Sequence, residues 1–535
     1  MGPLAGSMMS AVRGLTPDQG AAAVSVPITG TEPSDLRSLL RVICPIGPVQ
    51  RKQTGEMTAT HPATDEVPQI QTAAFLPRLG RRVRDLPLVF ALLAFVVGTF
   101  LVFAQPPGQG LDEAVHFNRV WELAQGHVVA PIHHGTPGGF IPRCVSDYLA
   151  HFSAHASEPG PFSFNQYWHS PNPCSQASPF TTVGTAAANS PISYAPSLIV
   201  VAIFRGAGAP LPVIFFAGRL GSLLGFIALF YLAMRITPVG KQVFFVLGLL
   251  PTTLLLASSY SADPMTISLA ALSVALTLRC SLRRQVDWPT ALLLFLVLIG
   301  LCLTKPTLFI FAPLLLLVPT RTINHPRHPW LVRIGALVVV LGCAGLWYLA
   351  VRHVAQAPVP LYGLNSHTQT RFILDHPIGY LKVLARTFFV GTGEGRWIPG
   401  FFFSIGYIRT DSVYAPIGLV IVGSLTLFYA YQLQFGARRI VDHATRLLAW
   451  LPVALAAVGV LIVETTLFIY GTPVGLPFTQ AQGRYFIPLL LLVLVTIGLL
   501  REPRKEERAT RWVCLGVVLM LMWLVLKIFV HDYSL

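Results

Sequence analysis

The stretch Leu86-Pro-Leu-Val-Phe-Ala-Leu-Leu-Ala-Phe-Val-Val-Gly-Thr-Phe-Leu-Val-Phe-Ala104 carries no charge, and Gln105-Pro106-Pro107 follows it. A run of this length spans the hydrocarbon core of a bilayer as a helix, since about 20 residues rising 1.5 Å each cover about 30 Å. The proline pair then ends it. Arg78, Arg81, Arg82 and Arg84 precede the run. Positive residues stay on the cytoplasmic side, so this span leaves the cytoplasm and Gln105 emerges outside. The rest of the chain repeats the pattern. It has 535 residues, 53% of them hydrophobic and only 11% charged, with a mean hydropathy of +0.62. An ordinary soluble domain is about 25% charged. A soluble enzyme, a disordered chain and a small disulfide scaffold are therefore excluded. The formal charge of +15 reads as a topology signal rather than as nucleic-acid binding.

Further apolar runs lie at about 211–234, 242–257, 264–280, 288–303, 306–319, 334–351, 412–432, 447–470, 485–500 and 512–530. With the first they predict an all-α polytopic membrane protein of about eleven spans. Residues 1–85 are rich in Pro, Gly, Thr and Ala and read as a disordered cytoplasmic tail. No charged start runs into an apolar core at residue 1, and a functional start nearer Met57 is compatible with the pattern.

The run Ile192–Phe204 is too short for an ordinary span. Charge parity decides its placement. If it does not cross, the basic clusters at 235–241, 279–284, 321–333, 438–446 and 501–511 all fall inside with the four arginines before the first span. The short outer loops then hold only Lys305 and Arg484. If it crosses, that bias is scrambled. The run therefore reads as a helix lying at or dipping into the outer surface. Two long loops, 105–210 and 352–411, face outward with juxtamembrane helices. The second carries Arg352, Arg371, Lys382, Arg386, Arg396 and Arg409, and an anionic substrate would account for them.

Seven cysteines are present, of which Cys144 and Cys174 fall in the first outer loop. The outer face is oxidising, so a disulfide between them is favoured over two thiols. His133, His134, His151, His155 and His169 have no metal-ligand spacing and read as solvated loop residues.

The residues with chemical potential follow the first span. In Asp112-Glu113-Ala-Val-His116-Phe-Asn-Arg119, Asp112, His116 and Arg119 share one face of a short helix. Asp112 is also a good helix N-cap, and capping alone would explain it. Asn189-Ser-Pro191-Ile-Ser-Tyr194 leads into the 192–204 run, where Asn189 reads as a cap. Asp263-Pro264 starts a span and is equally a turn. Lys305, in Thr304-Lys305-Pro306, falls at the apex of two short limbs, below the outer surface. There an ammonium costs about 2.5–3.5 kcal/mol unless it meets an anion or a wet cavity. Arg484, in Gln482-Gly483-Arg484-Tyr485, offers a planar fork to phosphate at the outer end of the tenth span. Arg219 and Glu464 also fall in the outer halves of spans, where neighbouring spans can pair them.

These motifs resemble the GT-C superfamily of polytopic glycosyltransferases that use polyprenyl-phosphate sugars. Aminoarabinose and mannosyl transferases of that clan carry a similar acidic run after the first span. The combination Asp-Glu-x-x-His-x-x-Arg, Asn-x-Pro-x-x-Tyr and Gln-Gly-Arg-Tyr is most similar to an uncharacterised bacterial membrane family of the clan. The resemblance implies a GT-C-like bundle in a bacterial plasma membrane with an extracytoplasmic site. It implies a lipid-linked sugar donor, a cell-envelope glycan or lipid acceptor, and no nucleic acid. Asp112 would be the general base, with Glu113 and Asp263 as further catalytic carboxylates. His116, Arg119, Lys305, Arg386, Gln482, Arg484 and Tyr485 would bind substrate. The two carboxylates Asp112 and Asp263 would divide base and electrostatic roles or share a divalent cation. A flippase of lipid-linked sugars and a non-catalytic membrane scaffold are the competing readings.

Overall fold

The computed structural model describes residues 85–155, 164–168, 178–282, 287–319, 329–355, 363–389, 397–403, 417–432, 435–439, 443–479, 481–504 and 507–532. The tail before Asp85, Cys174, His169, Arg396 and Arg409 lie outside them.

The chain is mostly helical, and among the described residues seven helices are long and apolar enough to cross a membrane. The first is α1, Leu86–Ala104. After it come α2 (Glu113–Leu123), a hairpin of β1 (Ile132–His133) and β2 (Thr136–Phe140), and α3 (Arg143–His155). Then follow β3 (Phe180–Thr182), α4 (Ala195–Gly206), α5 (Leu211–Ile236), α6 (Lys241–Gly248), α7 (Pro251–Ala257) and α8 (Asp263–Leu282). The second half holds α9 (Trp288–Thr304), α10 (Pro329–Ala355), α11 (Ser366–Asp375), α12 (Pro377–Phe389), α13 (Trp397–Phe402) and α14 (Ile417–Gln432). It ends with β4 (Phe435–Arg438), α15 (His443–Leu448), α16 (Leu451–Gly471), α17 (Ile487–Leu500), β5 (Arg501–Pro503) and α18 (Glu507–Asp532).

Three of the eleven predicted runs, 242–257, 306–319 and 412–432, take other forms, and the predicted interruption at Thr304-Lys305-Pro306 is present. The run 242–257 is split into α6 and α7, because Pro251 forces Leu250 into an extended conformation at φ −56°, ψ 136°. The run 288–319 breaks at Lys305, which is extended at φ −142°, ψ 127° before Pro306. Beyond it, Pro306–Leu317 is a 3-10 helix with Pro313 inside. The described part of 412–432 is the 16-residue α14. The expectation of purely helical structure is also corrected. A three-stranded antiparallel sheet, β1-β2-β3, sits in the first long loop, and β4 pairs with β5. Gly138 and Gly139 make the first sheet possible, since a Cβ at Gly138 would strike the Thr181 backbone and one at Gly139 the Glu122 side chain.

Helix α8 is the centre of the bundle. Its apolar window is 78% buried, against 17% for Trp330–Val354 on the periphery. Its buried hydroxyls are satisfied along the helix: Thr266, Ser268 and Thr277 donate to the carbonyls of Ala262, Pro264 and Ser273. Helix α4 is 12 residues long, about 18 Å, too short to span. It packs antiparallel alongside α5, where Gly221 and Gly225 leave room for Val200 and Pro196.

Arg235 at the end of α5 donates to Asp85 at the start of α1 at 2.5 Å. The two helices therefore run antiparallel with these ends level. The loop from Gln105 to Asp112 lies at the other end, and the polar residues gather there.

Candidate functional site

Asp112 and Glu113 are adjacent in sequence, yet they turn to opposite sides of the start of α2. Asp112 sits at the N-cap position in the left-handed region, φ +56°, and its side chain makes no capping bond. The simple capping reading is thereby corrected. Glu113 stabilises the loop instead: Oε2 accepts from Gly108 N at 3.1 Å and Gly110 N at 3.2 Å, and Oε1 accepts from Tyr260 N at 3.1 Å. Arg219 of α5 completes the arrangement. Its Nε and Nη2 donate to the two Glu113 oxygens at 2.7 and 2.5 Å. Its remaining donors reach the carbonyls of Val102, Gln105 and Pro106 at 2.9, 2.7 and 3.1 Å. Both side chains are fully buried. Arg219 thus caps the end of α1, where helix carbonyls lack partners, and fixes the loop that carries Asp112. Both Glu113 oxygens are taken up by these partners, although the residue borders a cavity that Asp112 also lines.

Released from capping, Asp112 accepts from Arg484 Nη2 at 2.6 Å. Arg484 lies in the 3-10 turn Gly483–Phe486, is 3% exposed, and also donates to the Tyr485 hydroxyl at 3.2 Å. Its Nε is 3.4 Å from Asp263 Oδ2. Asp263, the first residue of α8, pairs through its other oxygen with Lys305, the residue at the break after α9. The Lys305 ammonium lies 5.0 Å from the centre of the Tyr485 ring. The broken end of α9 is tied down by Ser193, whose hydroxyl donates to Thr304 O at 3.0 Å. Four distant stretches thus bring two carboxylates and two cations together. Arg484 Nη1 is buried and has no hydrogen-bond partner among the described residues.

These groups line a cavity of about 960 Å³. One wall is polar, made by Asp112, His116, Asp263, Lys305 and Arg484. The lining also has an apolar part that includes Ile267, Leu308, Val463, Leu467 and Pro488. His116 faces the cavity, and its Nδ1 is 2.6 Å from the Tyr194 hydroxyl. Asn189 Nδ2 donates to the same hydroxyl at 2.9 Å. The network closes when Tyr194 donates to Nδ1, which leaves the proton of the neutral imidazole on Nε2. Asn189 therefore does not cap the helix that follows, contrary to the sequence reading, but is part of the chain that orients His116. Burial pushes His116 down to about 4, with Arg484 and Lys305 adding to the effect against Asp112 and Asp263. Burial acts to raise the Asp112 carboxyl, but Arg484 and His116 outweigh it and hold it below its ordinary value.

Other predicted residues go elsewhere. Arg119 is fully buried; it pairs with Glu122 at 2.8 Å and donates to the carbonyls of His127, Val128 and Asn189. It braces the first loop and does not line the cavity. Arg386 is exposed on α12, away from the cavity lining. Gln482 is half-buried and outside the lining, and its Oε1 has no partner among the described residues. Tyr485 does line it. Glu464 binds Thr479, whose hydroxyl donates to it at 2.5 Å, so it and Arg219 find different partners. Cys144 is disulfide-bonded, and Cys174 lies outside the described residues.

Among the described residues no three His, Cys, Asp or Glu side chains are grouped to hold a metal ion. Asp112 and Asp263 are ion-paired to Lys305 and Arg484, a cationic surrounding that does not fit a divalent cation. Sequence reasoning passed over Tyr194 and the capping role of Arg219. The first had a signal in Asn189-x-x-x-x-Tyr194; the second had only a charge within a span, which marks a buried partner without naming it.

Comparison with curated proteins and with solved structures finds no match. A family model does match, over residues 95–493, a range that holds every residue of the charged cluster. The chain belongs to the family described as "Predicted membrane protein (DUF2142)".

Proposed function

We propose that this chain is a GT-C-like glycosyltransferase. It moves a sugar from a polyprenyl-phosphate donor to a cell-envelope acceptor at the extracytoplasmic face of a bacterial plasma membrane. The bundle of about eleven crossings needed for that placement counts the runs 242–257, 288–303, 306–319 and 412–432 as spans beside the seven long helices. The observation that carries the reading is Arg484. A buried guanidinium with an unpartnered Nη1, beside two carboxylates and an apolar flank, fits a phosphate attached to a lipid.

In this reading the donor phosphate binds Arg484 and Lys305, and its polyprenyl chain follows the Val463–Leu467 side of α16. Asp112 takes the proton of the acceptor hydroxyl as its oxygen attacks the anomeric carbon. The bond from that carbon to the phosphate oxygen breaks, and the cations hold the charge left on the phosphate. A single displacement on the opposite face inverts the anomeric centre. Without donor, Arg484 is bonded to Asp112 and the base is masked. A phosphate competing for Arg484 frees it, so donor binds before the acceptor reacts. Asp263 keeps Lys305 in place, and neutral His116 can offer Nε2–H to a sugar hydroxyl.

The test is Asp112→Asn in membranes supplied with lipid-linked sugar. Consumption should fall by roughly 10²–10⁴-fold, the usual contribution of a general base, with expression intact. Undiminished turnover at full expression overturns the assignment. A flippase needs no acceptor base, so lipid-linked sugar transport that survives the substitution would favour that reading.

A further inference from the structure

Arg386 was drawn by sequence toward a phosphate in the cavity, but the fold places it on a different surface. Helices α11 and α12 form a hairpin against the end of α16. Tyr380 and Thr465 share a hydrogen bond of 2.7 Å, Gln369 Nε2 donates to Thr472 O at 3.0 Å, and the Tyr380 ring lies 5.1 Å from that of Phe468. Thr465 is six residues from Gly471, where α16 ends, or about 9 Å along the axis. Since α16 belongs to a helix long and apolar enough to cross the membrane, α12 lies at the depth of its last two turns. That is the edge of the hydrocarbon.

Helix α12 is apolar on two sides. Tyr380, Val383 and Leu384 are buried with Phe468 of α16, and the buried Thr387 hydroxyl accepts from Thr479 N at 2.9 Å. Ile378, Leu381, Lys382, Ala385, Arg386 and Phe389 form the other face, at i, i+3, i+4, i+7, i+8 and i+11. This face is open: Ile378 is 70%, Leu381 62% and Phe389 89% exposed, and Leu374 of α11 adds a side chain exposed by 74%. A soluble surface rarely leaves so many large apolar side chains uncovered in one stripe. The cations among them match the pattern of a helix lying in a bilayer interface, apolar residues down and basic groups at headgroup level.

We infer that the open face of α12 is seated in the membrane surface, with Ile378, Leu381 and Phe389 in the acyl boundary and Lys382 and Arg386 on the phosphates of anionic phospholipids. This surface is independent of the transferase reading. It explains Lys382 and Arg386 without any substrate and would hold the hairpin, whose leading residue Leu364 lines the cavity, at fixed height.

The test uses the full-length protein in nanodiscs, with Leu381→Cys, Phe389→Cys and, as a polar control, Thr368→Cys carrying a nitroxide, against unlabelled wild type. Oxygen should reach labels at 381 and 389 more readily than a water-soluble nickel chelate, and the order should reverse at 368. In a second measurement a fluorophore at 381 is exposed to spin-labelled phosphatidylglycerol or phosphatidylcholine. Phosphatidylglycerol should quench more strongly, by roughly fivefold for each cation if each is worth about 1 kcal/mol, and Lys382→Gln with Arg386→Gln should bring the two lipids to parity. Chelate access at 381 and 389, exclusion of both probes by a second copy or another protein, or absence of a phosphatidylglycerol preference would each overturn the inference.

Discussion

Two arginine–carboxylate pairs, each with a buried guanidinium, stand at the same end of the bundle and differ in one respect. Arg219 and Glu113 are closed: both Glu113 oxygens are used by the guanidinium and by backbone N–H groups, and Arg219 reaches three carbonyls besides. Arg484 and Asp112 are open: Nη1 has no hydrogen-bond partner among the described residues, and the Asp112 side chain is 43% exposed. Desolvation must be offset by neighbours in the first pair, and the neighbours are there. In the second it is only partly offset, and the residual field faces a cavity. A closed pair builds structure, and an open one leaves a donor facing the cavity, the place proposed for a ligand.

The largest effect that would break this comparison is the loss of the closed pair. Arg219→Ala leaves the Glu113 carboxylate buried without its cation and frees the end of α1. The cost should be about 3–5 kcal/mol, read as a collapse of thermal stability and folded yield in detergent. A normal melting temperature would mean that the pair is not structural. Asp112→Asn is the counterpart on the open side. Its melting temperature should stay close to that of wild type, because an exposed partner is lost, while the transfer activity proposed for it falls by roughly 10²–10⁴-fold. If Asp112→Asn proves the more unstable of the two variants, the assignment of roles is reversed.

The contrast was only half legible in the sequence. Membrane class, the seven long spans and the break at Lys305 follow from hydropathy and proline, because each is a local property. The meeting of Asp112 with Arg484 is not local: 372 residues separate them, and only motif resemblance suggested it. Helical spacing misjudged the face of α2. Asp112, His116 and Arg119 share a side by periodicity, but Asp112 lies outside the helix in a left-handed conformation, so its direction is set by the loop. Arg119 turns to the carbonyls of Val128 and Asn189, whose free ends no periodicity can reveal. Glu113 could not be told from Asp112 by type or position. Its partner, Arg219, is a lone charge within a span, and sequence gives the need for a partner but not its identity.

A smaller effect sharpens the open pair. Arg484→Lys keeps the charge and loses the fork, so Asp112, Asp263 and a phosphate can no longer be engaged by one group at once. Binding of polyprenyl phosphate, measured by tryptophan fluorescence or calorimetry in detergent, should weaken by roughly tenfold, the factor for about 1.4 kcal/mol. Unchanged affinity would show that Arg484 acts as a point charge and that its unpartnered Nη1 has no role in recognition.

The smallest effect concerns His116, which sits between the two regimes: it faces the open cavity but is held by a closed chain through Tyr194 and Asn189. Its folded value is about 4, below the ordinary 6.5. Between these values the unfolded chain binds a proton that the folded chain refuses. The stability linked to this ring is therefore complete above pH 6.5 and declines as the pH falls toward 4. Asp112 adds nothing in that window, because its value is depressed below the ordinary 3.8 and its contribution is lost only at lower pH. The difference in stability between pH 6 and pH 5 should thus contain a His116 part of about 1 kcal/mol. His116→Gln should flatten that slope while Asp112→Asn leaves it alone. If instead the slope survives His116→Gln, the imidazole is free to take up a proton in the folded protein. The cavity would then hold a third cation at pH 5, and the balance of two carboxylates against Lys305 and Arg484 would no longer describe the site.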